Sequence, residues 1–126
     1  MSSRRVMVVD DDESIRMVAS VALESIGGWQ VLSADSGQAC LAMAPGPGID
    51  AILLDVMMPG LDGLTTFRLL QADPATRDIP VVLVTAKLAY GEHPDWEGLA
   101  VAGVIAKPFD PMTLAREVGD LLGWND

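Results

Sequence analysis

Four acids in a row, Asp10, Asp11, Asp12 and Glu13, follow a short apolar run, Val6 to Val9. Three other polar side chains stand in the same relation to three other runs: Asp55 after Ile49 to Leu54, Thr85 after Ile79 to Val84, and Lys107 after Val101 to Ala106. Carboxylates gathered in one cleft repel one another, so a proton, a cation or a metal must offset the charge. Hard oxygen donors without thiolate or imidazole select Mg²⁺ or a similar ion. Lys107 can neutralise one phosphoryl oxygen and Thr85 can hydrogen-bond another. Asp55 is then placed as a nucleophile that forms an acyl phosphate. Nothing in this set suggests hydride transfer, acyl hydrolysis or redox chemistry.

The elements that must position these groups alternate along the chain. Val6 to Val9, with three valines, predicts a strand. Ser14 to Ile26 carries Ile15, Val18, Ala22 and Ile26 at spacings of 3, 4 and 4, which predicts a helix stopped by Gly27-Gly28. Trp29 to Ala34 reads as a less apolar, edge-like strand, and Ser36 to Ala44 as a short helix. Ile49 to Leu54 is a third strand. Leu64, Phe67 and Leu70 mark a third helix, opened by Asp62 and stopped at Asp73-Pro74. Ile79 to Val84 and Val101 to Ala106 complete five strands. A helix is expected between these last two, short or irregular, because Gly91, Pro94 and Gly98 interrupt Lys87 to Leu99. The last helix is predicted to start with Asp110 as N-cap and Pro111 at N1, burying Leu114, Val118, Leu121 and Leu122. The first, third and fourth strands are nearly continuous in apolar residues, as buried parallel strands are. Such a βα series predicts a doubly wound α/β sheet with helices on both faces. Ligands of these sheets bind beyond the carboxyl ends of the strands, which is where the polar residues stand.

Composition narrows the function classes. The 126 residues are expected to form a single domain, and 50% hydrophobic content is enough for a core. A net charge of −10 argues against direct nucleic-acid binding and against a polybasic membrane anchor. No stretch reaches the ~18 apolar residues of a membrane span. The four apolar residues before Asp10 are too few for a signal-peptide core, so a cytoplasmic location is expected. One cysteine and one histidine exclude an internal disulfide and a Cys- or His-rich metal centre.

Four blocks, Val8-Val9-Asp10-Asp11-Asp12, Leu53-Leu54-Asp55 running on through Met57-Met58-Pro59 to Asp62-Gly63, Val84-Thr85-Ala86 and Ala106-Lys107-Pro108-Phe109, carry a resemblance. Together and in this order they are similar to the receiver domain of two-component response regulators, over almost the whole chain. The resemblance implies a flavodoxin-like sheet of order 2-1-3-4-5. It implies that Asp55 is the phosphoacceptor, Asp11 a direct Mg²⁺ ligand, Asp10 an acid acting mainly through water, and the Met57 main-chain carbonyl a further ligand. Thr85 would follow the phosphoryl group, Lys107 would pair with it, and Pro108 would follow a cis peptide bond. The implied partners are a sensor histidine kinase or a histidine phosphotransfer protein upstream and a protein target downstream, or a second phosphorylated copy of the chain. The few residues after the last helix leave no room for a DNA-binding effector, so a stand-alone switch is expected. Two features depart from the family's pattern: Val104 stands where an aromatic residue is frequent, and the interrupted Lys87 to Leu99 segment stands where the fourth helix would be.

Two other functional readings use the same residues. Asp10 and Asp12 after an apolar strand, with Lys107 later, superficially fit a haloacid-dehalogenase-like phosphatase, which leaves the Asp55 block unexplained. A pseudo-receiver would bind partners without phosphorylation, but no acid or lysine is lost here. Several conspicuous residues are expected to be structural. Asp12, Glu13 and Asp62 read as helix caps or first-turn acids. Cys40 reads as a small packing residue, His93 as an exposed loop residue, and Trp29, Trp96 and Trp124 as packing or rim residues. Met57-Met58 reads as loop packing, since no thiolate accompanies it to make a soft-metal site.

Overall fold

The computed structural model describes residues 4–46, 48–86 and 100–124. Five strands are present: β1 (Arg5–Val9), β2 (Gln30–Ala34), β3 (Ala51–Asp55), β4 (Val81–Thr85) and β5 (Gly103–Ala106). Four helices accompany them among the described residues: α1 (Glu13–Ser25), α2 (Gly37–Met43), α3 (Gly63–Ala72) and α4 (Leu114–Leu122). The strands pair in parallel in the order β2-β1-β3-β4-β5, as the resemblance implied. The helix expected within Lys87 to Leu99, together with His93 and Trp96, lies outside the described residues.

Residues alternate between the two faces of each strand, and the two faces build two cores. Met7, Val9, Ile52, Leu54, Val81 and Leu83 pack with Cys40 of α2 and Phe67 and Leu70 of α3. Val6, Val8, Leu53, Val82, Val84 and Ile105 pack on the opposite face with Ala19 and Leu23 of α1 and Leu114, Ala115 and Val118 of α4. Burial on both faces is why β1, β3 and β4 are almost wholly apolar. The edge strand β2 keeps Gln30 and Ser33 exposed.

Three helix starts follow the chemistry of capping. Asp12 accepts from the backbone N–H of Ser14 and Ile15, Ser36 from Ala39, and Asp62 from Thr65. Gly63 is required where α3 begins, because a Cβ there would collide with the main-chain oxygen of Asp55. This close approach seats α3 directly against the end of β3.

Two expectations about helices need correction. The α4 helix starts at Leu114, not at Pro111. The Asp110 carboxylate accepts from Met112 N–H and its carbonyl from Thr113 N–H, so residues 110–113 form a tight turn. Helical i→i−4 bonding begins only when Glu117 N–H reaches Thr113. The buried face of α4 also differs from the expected one, and packing selects that of α1. On α1 the buried residues are Ala19, Ala22 and Leu23, while Val18 and Ile26 are exposed. On α4, Leu121 is exposed at its rim, although its methyl groups fill the space that a Cβ on Gly103 would need. Apolar residues surround more of α1 than one stripe, so spacing alone allowed two faces and packing selected one. Trp29 and Trp124 behave as packing residues: their rings meet edge to face at 5.1 Å, and Arg4 stacks over Trp124.

Candidate functional site

All five strands run parallel, so their carboxyl ends lie along one edge of the sheet. Asp10 follows β1, Asp55 ends β3, Thr85 ends β4 and Lys107 follows β5. The register places Asp55 beside Val84 and Thr85 beside Ala106. Main-chain bonds from Val56 N–H to the Val84 carbonyl and from Lys107 N–H to the Thr85 carbonyl extend the pairing past the strand ends.

The acids named from the sequence come together here. Ligand oxygens of Asp10, Asp11 and Asp55 lie within 4.8 Å of one another. Asp10 and Asp55 are buried, each with 3% of its surface exposed, and Asp11 is open to solvent. The Lys107 ammonium lies 2.7 Å from Asp10 Oδ2 and 3.2 Å from Asp55 Oδ1. One ammonium thus bridges two buried carboxylates, joining residues 97 apart in sequence. Asp12 N–H donates to Asp10 Oδ1 at 2.9 Å, and Met57 N–H to Asp55 Oδ1 at 3.2 Å. The peptide bond between Lys107 and Pro108 is cis, as expected. Thr85 is fully buried at the end of its strand. Beside Lys107 the surface opens into an apolar cleft of about 360 Å³ that includes Ile15, Val18, Pro108 and Phe109.

The electrostatics follow from one cation serving several acids. Burial, and then the Asp10 carboxylate, hold the Asp55 carboxyl above its ordinary range, and Lys107 and the Met57 N–H return only part of that. Burial alone would lower the Lys107 ammonium, but the bonds and attraction of Asp10 and Asp55 outweigh it and raise it. The three carboxylates therefore keep an excess of negative charge. They offer only hard oxygen donors, and Asp11 faces water that can complete a coordination shell. This donor set fits a small divalent cation such as Mg²⁺.

Asp12, Asp62 and Cys40 are structural, as expected, and of the methionine pair expected to pack in the loop Met58 is buried while Met57 is exposed. Asp12 caps α1 through Oδ1, which accepts from Ser14 N–H and Ile15 N–H at 2.8 and 3.2 Å. Asp62 caps α3, and its bonds to the Thr65 N–H and side chain hold its carboxyl below the usual range. Cys40 is fully buried, and desolvation pushes its thiol up to about 11. Val104 packs against the core on the α2 and α3 side.

Sequence reasoning missed one residue beside the site. Arg16 Nη1 donates to the main-chain carbonyl of Asp10 at 2.7 Å. The available signal was that Arg16 is the only basic residue of α1 and stands one turn after the acidic run.

Comparisons with known proteins agree with this geometry. Residues 6–119 match the model of the response regulator receiver domain. Response regulator PleD of Caulobacter vibrioides is 40% identical over 120 residues, covering 94% of this chain and 26% of PleD. The chain spans about a quarter to a half of the length of such curated relatives. Chemotaxis protein CheY4 of Vibrio cholerae superposes with a TM-score of 0.86 at 27% identity, over 95% of this chain and 99% of that one. The receiver domain of sensor histidine kinase PA1611 from Pseudomonas aeruginosa has a TM-score of 0.84 at 26% identity, over 97% of this chain and 99% of its own. A magnesium ion is coordinated in the active-site cleft of that domain.

Proposed function

This chain belongs to the response regulator receiver domain family, and on that premise we propose that Asp55 is its phosphoacceptor. A receiver domain is a phosphoacceptor signalling switch of two-component systems rather than a metabolic enzyme. One observation carries the assignment to Asp55: a buried carboxylate at the end of the central strand β3, within reach of both Asp10 and Asp11 and bridged by Lys107.

In the proposed reaction an Asp55 oxygen attacks the phosphorus of a phosphohistidine. The new P–O bond forms as the P–N bond breaks, and the imidazole nitrogen leaves with the electron pair. Lys107 and the Met57 N–H engage Asp55 Oδ1, which leaves Oδ2 as the attacking oxygen. After transfer the Lys107 ammonium pairs with one phosphoryl oxygen and the Thr85 hydroxyl donates to another. Asp10, Asp11, Asp55 and the Met57 carbonyl would hold Mg²⁺, which when bound neutralises charge on the phosphoryl oxygens. The partners are a sensor histidine kinase or a histidine phosphotransfer protein and a downstream protein target, which includes a second copy of the chain. Residues 1–126 act in this reading as one receiver domain in the cytoplasm; no described helix is long and apolar enough to cross a membrane.

Intact-mass measurement after incubation with a small phosphodonor and Mg²⁺ tests the assignment. Wild type should gain one labile phosphoryl group, Asp55→Asn none, and Asp10→Asn much less than wild type. Full labelling of Asp55→Asn would refute it. Labelling that survives Asp55→Asn but is lost in Asp10→Asn would favour the phosphatase-like use of Asp10, and no labelling of wild type would favour a pseudo-receiver.

A further inference from the structure

The Asp10–Asp11 turn must leave the sheet sharply and still aim two carboxylates at Asp55. Asp10 is held at each polar group. Its N–H donates to the Ala34 carbonyl at 3.2 Å, which extends β1 along β2. Its carboxylate accepts from Asp12 N–H through Oδ1 and from Lys107 through Oδ2. Its carbonyl accepts from the Arg16 guanidinium at 2.7 Å. Because the turn carries that carbonyl out of the sheet ladder, a partner from outside the sheet holds it, and a side chain on α1 supplies one.

That carbonyl is half of a shared unit. The peptide group is planar, so the Asp10 carbonyl and the Asp11 nitrogen move together. Gripping the oxygen fixes the plane from which the Asp11 side chain departs. Asp11 is the exposed member of the acidic cluster and has the most freedom to lose. Arg16 is itself held, half-buried, on a helix whose first turn is pinned by the Asp12 cap. The guanidinium thus ties the direction of the acidic turn to the axis of α1.

We propose that Arg16 is a positioning residue for the Mg²⁺ site, acting through the Asp10–Asp11 peptide group rather than through contact with the metal. The inference rests on the reading of Asp10 and Asp11 as metal-binding acids. Arg16 is also a cation close to that site, and the two effects have opposite signs. As a charge alone it repels Mg²⁺, so removing it would tighten binding. As a positioning group it pre-organises the ligands, so removing it weakens binding. Losing an outer partner of a metal ligand typically costs about 10-fold or more in affinity.

The test is calorimetric titration of the full chain with MgCl₂ alone, without phosphodonor, for wild type, Arg16→Ala and Arg16→Lys. Metal-free urea denaturation of each variant measures folding separately. Positioning predicts roughly 10-fold weaker Mg²⁺ binding in Arg16→Ala, with partial recovery in Arg16→Lys, which keeps a donor on a long stem. Unchanged or tighter binding in Arg16→Ala overturns the proposal, as does Arg16→Lys binding no better than Arg16→Ala. Should Arg16→Ala not fold without metal, Arg16→Lys against wild type decides: a weakening between twofold and tenfold supports the role, and no weakening overturns it. Failure of the underlying reading is distinct, because wild type itself would then bind no Mg²⁺ and gain no phosphoryl group.

Discussion

Replacing Lys107 with methionine keeps a long apolar stem and removes the one ammonium that bridges Asp10 and Asp55. Without metal, two buried carboxylates are then left facing each other with no ion-pair partner among the described residues. Removing one member of a fully buried ion pair costs about 3–5 kcal/mol. The Lys107 side chain is 17% exposed, so water can enter where the ammonium was. That relief brings the expected loss to roughly 2–4 kcal/mol. The ammonium titrates above its ordinary value, so its pairing stabilises the fold at neutral pH and is lost only as pH rises through that raised value. Mg²⁺ changes the balance. Bound among the same carboxylates, it supplies the missing positive charge, and a site without a competing ammonium should bind it more tightly. Urea denaturation followed by tryptophan fluorescence and far-ultraviolet circular dichroism, in EDTA and in saturating Mg²⁺, measures both effects. Lys107→Met should be the less stable protein in EDTA and should recover most of the gap in Mg²⁺. A variant within about 0.5 kcal/mol of wild type in EDTA, inside the range of an ordinary surface substitution, would refute the argument that Lys107 neutralises the metal-free site.

Two more outcomes follow from neighbouring side chains. Met57 is 56% exposed, two residues after the acceptor, where its thioether can crowd an in-line water but cannot orient one. Met57→Asn should therefore speed loss of the phosphoryl group by about 3- to 30-fold, worth roughly 1–2 kcal/mol of barrier; matching single-turnover decay rates would end the idea. Burial raises the Cys40 thiol from 9.0 to about 11, so the unfolded chain loses this proton first as pH rises. Stability should fall by roughly 2–3 kcal/mol between about pH 9 and pH 11. Alkaline urea titrations should show that extra slope in wild type and not in Cys40→Ala.

Much of the site was legible before any coordinates because local rules agreed with global ones. Asp12 and Asp62 sit where a carboxylate satisfies the free N–H groups of a helix start, and both cap as expected. The apolar runs of β1, β3 and β4 were unmistakable because both faces of these strands are buried. The parallel βα pattern then required Asp10, Asp55, Thr85 and Lys107 to share one edge. Boundaries that depend on competition were not legible. Asp110-Pro111 has the chemistry of a helix start, yet the Asp110 side chain closes a turn first, and α4 waits until Leu114. Two apolar faces were available on α1, and only the partners across the interface, the sheet residues Val6, Val8 and Leu53 with Leu114, Ala115 and Val118 of α4, settled which is buried.

The sequence by itself determined which residues stand at the strand ends and therefore what chemistry is available, because residue type and hydrophobic period are local properties. Only the tertiary structure decided how those groups share charge. That Lys107 spans Asp10 and Asp55 at 2.7 and 3.2 Å, and that Arg16 reaches back to the Asp10 carbonyl, depends on the register of parallel strands and the seat of α1 on the sheet. A hydrogen bond changes strongly over half an ångström, and such distances are fixed by the packing of the whole sheet and its helices, not by the spacing of residues along the chain.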